Sequence, residues 1–185
     1  SNYEYTQDEI TDIFDELAKA VEDAREKFAS NSTQKRINMF KKSFEAEYTW
    51  LNGFMRNVHR FGNRQALFDP STNNSWSYTE LNKAANKFAN AILNKGIKKG
   101  QVVMFQLQNC PEFVFSYLAC HKTGTVASPI NFRLSSGELA QTIDDSTPEV
   151  FIYEASNTKT VTEALATSKH KPKTVVMVEN ADVSP

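Results

Sequence analysis

Cysteine and glycine are both scarce, and neither is arranged for chemistry. Cys110 and Cys120 are the only two cysteines in 185 residues. Their spacing fits neither a zinc knuckle nor a Cys-x-x-Cys redox pair, so both read as reduced packing residues. A phosphate-cradling loop needs several glycines just ahead of a helix, and none of the six glycines is so placed. The nearest pattern, Lys122-Thr123-Gly124-Thr125, follows a helical stretch and precedes a strand. His59, His121 and His170 lie far apart and form no metal-ligand pattern. No serine sits in a Gly-x-Ser-x-Gly elbow.

Charge of neither sign dominates: 21 basic residues face 22 acidic ones, a formal net charge of −1. No overall field recruits nucleic acid, and the one basic run, Lys169-His170-Lys171-Pro172-Lys173, reads as a solvated linker. The paired acids Asp144-Asp145 read as a solvated helix end. The longest nearly apolar stretch, Phe113 to Cys120, contains Ser116 and falls far short of the roughly 20 residues of a membrane span. Ser1-Asn2-Tyr3-Glu4 lacks the positive start and apolar run of a secretory signal, so the expected location is cytoplasmic.

What is present is globular: 40% hydrophobic and 23% charged residues, enough to bury a core. Thr6 and Glu9 have the spacing of a capping box. Behind them Ile10, Phe14, Leu17, Val21, Ala24 and Phe28 step by four and three alternately, one stripe on one helix face. A break at Ser30-Asn31-Ser32 and a second helical pattern through Ile37, Phe40, Phe44 and Tyr48 predict a helical hairpin. Its stripe would bury against a neighbouring helix, the rest of the domain, or a second copy of the chain.

After Gly62 the pattern changes to short β-prone runs. Ala66-Leu67-Phe68 and Trp76-Ser77-Tyr78 flank a cluster of turn formers and predict a β-hairpin. Ser77 and Glu80 cap the next helix, which Gly96 stops. Val102-Val103-Met104-Phe105 is apolar on both faces, as a central parallel strand requires. Asn109 as N-cap and Pro111 in the first turn open a helix that ends at Gly124. His121 and Lys122 place positive charge at its carboxyl end. A strand over 125–129, a helix capped by Ser135 and Glu138, a strand over 150–153, a helix over 158–166 and a strand over 174–178 follow. The alternation predicts an α/β fold, a parallel-sheet βαβ half-domain with a β-hairpin, preceded by an N-terminal helical arm.

Two stretches carry a family resemblance. Trp76-Ser77-Tyr78-Thr79-Glu80-Leu81 resembles the first core motif of the adenylate-forming (AMP-binding) superfamily. Leu118-Ala119-Cys120-His121-Lys122-Thr123-Gly124-Thr125-Val126-Ala127-Ser128-Pro129-Ile130-Asn131 resembles the second. Around them Gly96-Ile97-Lys98-Lys99-Gly100, Asn109-Cys110-Pro111-Glu112-Phe113 and Asn131-Phe132-Arg133-Leu134-Ser135 also fit, in order, across residues 60 to 153.

The resemblance implies the N-terminal part of an acyl-CoA synthetase, with residues 1–60 as a helical extension and 61–185 as the first part of the large N-terminal domain. Such enzymes use ATP and Mg2+ to turn a carboxylic acid into an acyl-adenylate, then pass the acyl group to CoA. The family's phosphate loop and catalytic lysine correspond to later positions, so this segment alone is expected to be inactive, to bind no ATP, Mg2+ or CoA by itself, and to depend on the remainder of its own chain. Arg133 resembles a residue facing the CoA entrance and is the candidate contact to a CoA phosphate; no catalytic or metal-ligating residue is implied. A peptide-synthetase-type adenylation domain, or a non-catalytic binding or assembly protein on the same scaffold, are the other readings.

Overall fold

The computed structural model describes residues 7–42 and 49–179. Two compact units make up the chain, Ser1–Asn52 and Gly53–Pro185. In the first, α1 (Gln7–Lys42) is one continuous helix of 36 residues. The expected break at Ser30-Asn31-Ser32, and with it the hairpin, is absent. No proline or glycine occurs between residues 7 and 42. Serine and asparagine cost only some tenths of a kcal/mol each in a helix interior. Ser32 Oγ satisfies itself within the helix by donating to the carbonyl of Ala29 at 3.0 Å. Thr6, Phe44 and Tyr48 lie outside the described residues.

The second unit takes in most of α2 (Trp50–Phe61), which buries Phe54. A hairpin follows, β1 (Gln65–Asp69) paired antiparallel with β2 (Asn74–Ser77). Its turn is organised by Asp69, whose carboxylate accepts the Ser71 N–H and the hydroxyls of Ser71 and Thr72. Asn73 supplies the left-handed residue at φ 56°. Next come α3 (Tyr78–Asn94), β3 (Val102–Gln106), α4 (Pro111–Thr123), β4 (Val126–Pro129), α5 (Ser136–Ser146), β5 (Val150–Glu154), α6 (Thr158–Thr167) and β6 (Thr174–Val178). The last four strands form one parallel sheet in the order β4-β3-β5-β6.

Strand alternation sorts the core into two layers. Val103 and Phe105 of β3, with Val150 and Ile152 of β5, pack against Ala89 and Ile92 of α3 and Ala119 and Cys120 of α4. The intervening Met104 and Phe151 pack on the opposite face with Leu139 and Ile143 of α5 and Val161 and Ala164 of α6. The sheet is thus covered on both faces, as apolar parallel strands require.

Both expected capping boxes form, Ser77 with Glu80 and Ser135 with Glu138. The expected N-cap of α4 shifts by one residue. Pro111 is itself the first helical residue, so Cys110 rather than Asn109 occupies the cap, without a side-chain bond. Two regions expected to be merely solvated are tied down. Asp144 Oδ1, on α5, accepts the backbone N–H groups of Lys169 and His170 at 2.7 and 2.8 Å. Lys171 donates to the carbonyls of Leu165 and Ser168 at the end of α6, and Lys173 pairs with Glu149 at 2.9 Å. The basic run therefore closes a helix terminus, where cations are favoured. Among the described residues no helix is long and apolar enough to cross a membrane.

Candidate functional site

Because the four strands of the sheet are parallel, their carboxyl ends share one edge. The chain leaves β3 toward β4 on one side, then returns past β3 to β5 on the other. Connections from β3 and β5 therefore diverge, and that topological switch point is where open α/β sheets accept ligands.

Polar side chains collect at this edge although the strands behind it are apolar. Gln106, the last residue of β3, is fully buried. Its Nε2 donates to the Asn131 carbonyl at 3.2 Å, while its Oε1 has no hydrogen-bond partner. Glu154, at the end of β5, is 6% exposed. Its carboxylate accepts the Gln108 backbone N–H at 3.2 Å and the Gln108 side-chain amide at 3.4 Å. These bonds draw the exits of β3 and β5 together. Sequence reasoning singled out none of the three. The available signal was an amide or carboxylate at the carboxyl end of an apolar strand, Val-Val-Met-Phe-Gln and Val-Phe-Ile-Tyr-Glu.

The same edge holds Arg133. Its loop is anchored to β3 twice, by Ile130 N–H to the Phe105 carbonyl at 3.0 Å and by Gln106 to Asn131. Asn131 Oδ1 then accepts the Arg133 N–H at 3.0 Å, and the Ser135 capping box fixes the start of α5. The Arg133 side chain is exposed, its guanidinium 5.1 Å from the Phe132 ring centre. Among the described residues no carboxylate pairs with it. Stacking on an aromatic face while keeping its N–H fork available is a geometry suited to an anion. The α5 N-terminus beside it already carries an anion of its own, because Glu138 accepts the Ser135 N–H at 2.9 Å.

No other described group assembles into a reaction centre. Lys122 Nζ donates to Asn82 Oδ1 at 2.7 Å and lies 5.9 Å from the Phe54 ring centre; burial lowers its pKa. Gly124, at φ 70°, ends α4 in the left-handed conformation, so the Lys122-Thr123-Gly124-Thr125 stretch is a helix stop. Cys110 and Cys120 are free thiols. Burial pushes Cys110 up to about 11 and raises Cys120 as well, which keeps both protonated and inert at neutral pH. Among the described residues no group of three His, Cys, Asp or Glu side chains could hold a metal ion.

The model of one family, AMP-binding enzyme, matches residues 54–185. The chain belongs to the AMP-binding enzyme family. Among curated proteins it is similar to crotonobetaine/carnitine--CoA ligase of Escherichia coli (strain K12 / DH10B), 39% identical over 89 residues, covering 46% of this chain and 17% of that protein. The corresponding ligase of Citrobacter koseri is 37% identical over 98 residues, covering 51% of this chain and 19% of that protein. The chain thus spans less than a fifth of the length of these curated relatives.

Solved structures of AMP-binding enzymes share the fold. The N-terminal domain of FACL13 from Mycobacterium tuberculosis superposes with a TM-score of 0.63 at 28% identity, over 70% of this chain and 33% of that one. The anthranilate CoA ligase AuaEII, solved with anthranoyl-AMP, gives a TM-score of 0.66 at 23% identity, over 71% of this chain and 25% of that one.

Proposed function

We propose that this chain is the N-terminal part of an ATP-dependent acyl-CoA synthetase, which activates a carboxylic acid as its acyl-adenylate and transfers the acyl group to CoA. The observation that carries this reading is the match of residues 54–185 to the AMP-binding family, together with curated relatives that are CoA ligases. Residues 1–60 are a helical N-terminal extension, and 61–185 the first part of the large N-terminal domain. The protein acts in the cytoplasm, in company with the remainder of its own chain.

Of the three implied small molecules, the described residues fit only a part of one. In the sequence no glycine-rich turn precedes a helix to receive ATP phosphates, and among the described residues no acidic cluster gathers that could hold Mg2+. Both belong to other residues of the full protein, and this segment alone neither adenylates nor ligates. A phosphate of CoA does fit Arg133, an exposed guanidinium held on a sheet-anchored loop at the carboxyl edge.

The test is pyrophosphate release by the full-length protein with ATP, magnesium and a panel of carboxylic acids, run beside residues 1–185. Acid-dependent release by the full protein alone is the expected result. Release by the isolated segment refutes its inactivity, and silence from both across the panel favours a non-catalytic protein on this scaffold.

A further inference from the structure

Gln106 ends β3 on the same strand face as Met104, two residues earlier. Met104 packs there with Leu139 and Ile143 of α5, and Ile130 and Leu134, which flank the Arg133 loop, pack against the same cluster. An apolar residue at position 106 would continue that cluster. Glutamine instead buries a whole amide: the residue is fully buried, and its Oε1 has no hydrogen-bond partner. A buried acceptor left unmet is a stability cost that an apolar side chain of similar length would not carry. What the amide gains is one bond, from Nε2 to the Asn131 carbonyl 25 residues on, at 3.2 Å.

That bond acts where the chain leaves β4 for α5. Before it, the Ile130 N–H donates to the Phe105 carbonyl at 3.0 Å, so Phe105 and Gln106 grip Ile130 and Asn131 in succession. After it, Asn131 Oδ1 accepts the Arg133 N–H at 3.0 Å, and the Ser135 capping box fixes the start of α5. Asn131 is thus held through its backbone by β3 and holds Arg133 through its side chain. The Phe105 bond joins two backbone groups and would survive a change of side chain, whereas the Gln106 bond depends on residue type. We propose that Gln106 is a positioning residue for Arg133: its buried amide clamps the Asn131 peptide and so fixes where the guanidinium is presented at the carboxyl edge. The consequence for CoA rests on the synthetase reading; the clamp does not.

Amide exchange followed by NMR in the 185-residue chain tests the clamp, with Gln106→Met and Gln106→Leu as two apolar replacements of different shape. Loss of one net hydrogen bond should speed exchange of the Ile130 and Arg133 amides by roughly 3- to 10-fold. The β5 amides should keep their rates, and the urea midpoint should be no lower than the parent's. In the full-length protein the same variants should raise the apparent KM for CoA about 2- to 5-fold, leave that for ATP in place, and add nothing once Arg133→Ala is present. Unchanged exchange at both amides in both variants overturns the clamp. A lowered urea midpoint with a disturbed KM for ATP, or additivity with Arg133→Ala, is the pattern of a merely structural role and overturns the positioning. So does an unchanged KM for CoA in the Gln106 variants when Arg133→Ala raises it. If Arg133→Ala itself leaves that KM unchanged, the CoA reading fails, and the exchange rates alone decide for or against Gln106.

Discussion

Replacing Gly62 by alanine tests how the hairpin and α3 are docked onto α2. Gly62 lies just past the end of α2, where its carbonyl accepts the Thr79 N–H at 3.0 Å and the neighbouring Arg64 carbonyl accepts the Tyr78 N–H at 3.0 Å. A Cβ on Gly62 would stand 2.8 Å from Thr79 Oγ1 and 2.9 Å from the Val58 carbonyl oxygen. Ordinary contacts begin near 3.4 Å, so each neighbour must yield by about half an ångström. The Thr79 hydroxyl can rotate away, whereas the Val58 carbonyl is backbone within the last turn of α2 and cannot. Overpacking of this kind costs ~1–3 kcal/mol, less a few tenths recovered because alanine restricts the unfolded chain. A net loss of about 2 kcal/mol lowers the melting temperature by about 7 °C for a unit of roughly 130 residues. Urea unfolding followed by tryptophan fluorescence measures it, Trp76 being packed edge-on against Phe115 at 5.7 Å. Adding Thr79→Ala should restore only a minor part of the loss, leaving the Val58 contribution. A Gly62→Ala stability within ~0.5 kcal/mol of the parent, or complete rescue by Thr79→Ala, refutes the reasoning.

Arg133→Ala in the full-length protein should raise the apparent KM for CoA by about 5- to 30-fold, a charge-assisted phosphate contact discounted for solvent exposure, and leave pyrophosphate release unchanged. An unchanged KM removes the residue from CoA binding. Cys110, raised to about 11 by burial, should react with a disulfide reagent at pH 8 far more slowly than free cysteine. Its folded pKa lies above its unfolded one, so its stabilising contribution is complete below about pH 9 and is lost as pH climbs toward 11; a flat urea midpoint across that window contradicts the assignment. Glu80 and Glu138 are held below the ordinary carboxylate value, chiefly by the Ser77 backbone N–H and the Ser135 hydroxyl respectively. Their contribution is present above the ordinary value and lost as pH falls through the depressed one, so Ser135→Ala should flatten the acid limb of the stability profile and Ser77→Ala should do so only in part, because the Ser77 backbone N–H remains.

The α/β unit was legible because its signals are local and agree with one another. Ser77 with Glu80 and Ser135 with Glu138 are complete helix starts within four residues, and Gly96 and Gly124 do adopt the positive φ of helix stops. The continuity of α1 was not legible, because Ser30-Asn31-Ser32 resembles a turn in composition, yet no proline or glycine interrupts residues 7–42 and serine and asparagine are tolerated in a helix interior. The roles of Asp144 and Lys171 were hidden for another reason: their partners, the Lys169 and His170 amides and the α6 carbonyls, are backbone groups with no sequence signature. At the carboxyl edge the resemblance reached Arg133, but Gln106, Gln108 and Glu154 acquire meaning only once strand order brings β3 beside β5.

The two outer strands of the sheet differ in a way that bears on how the fold is completed. The β4 edge ends in Pro129, which has no N–H to offer, and includes Ser128. Proline on an edge strand discourages pairing with another chain. The β6 edge has no such guard: Thr174-Val175-Val176-Met177-Val178 contains neither charge nor proline, and Val175, Val176 and Met177 are exposed. Among the described residues no strand pairs with its outer side. An exposed apolar edge of this kind is a template for pairing with another strand, so β6 is expected to be covered in the full-length protein. Val176→Lys should therefore reduce concentration-dependent aggregation of the isolated chain, while destabilising a full-length protein in which the strand is covered. Turbidity on warming measures the first effect and urea midpoint the second. If the lysine variant aggregates as readily as the parent, or leaves the full-length protein unaffected, β6 is a finished edge and not an interior strand.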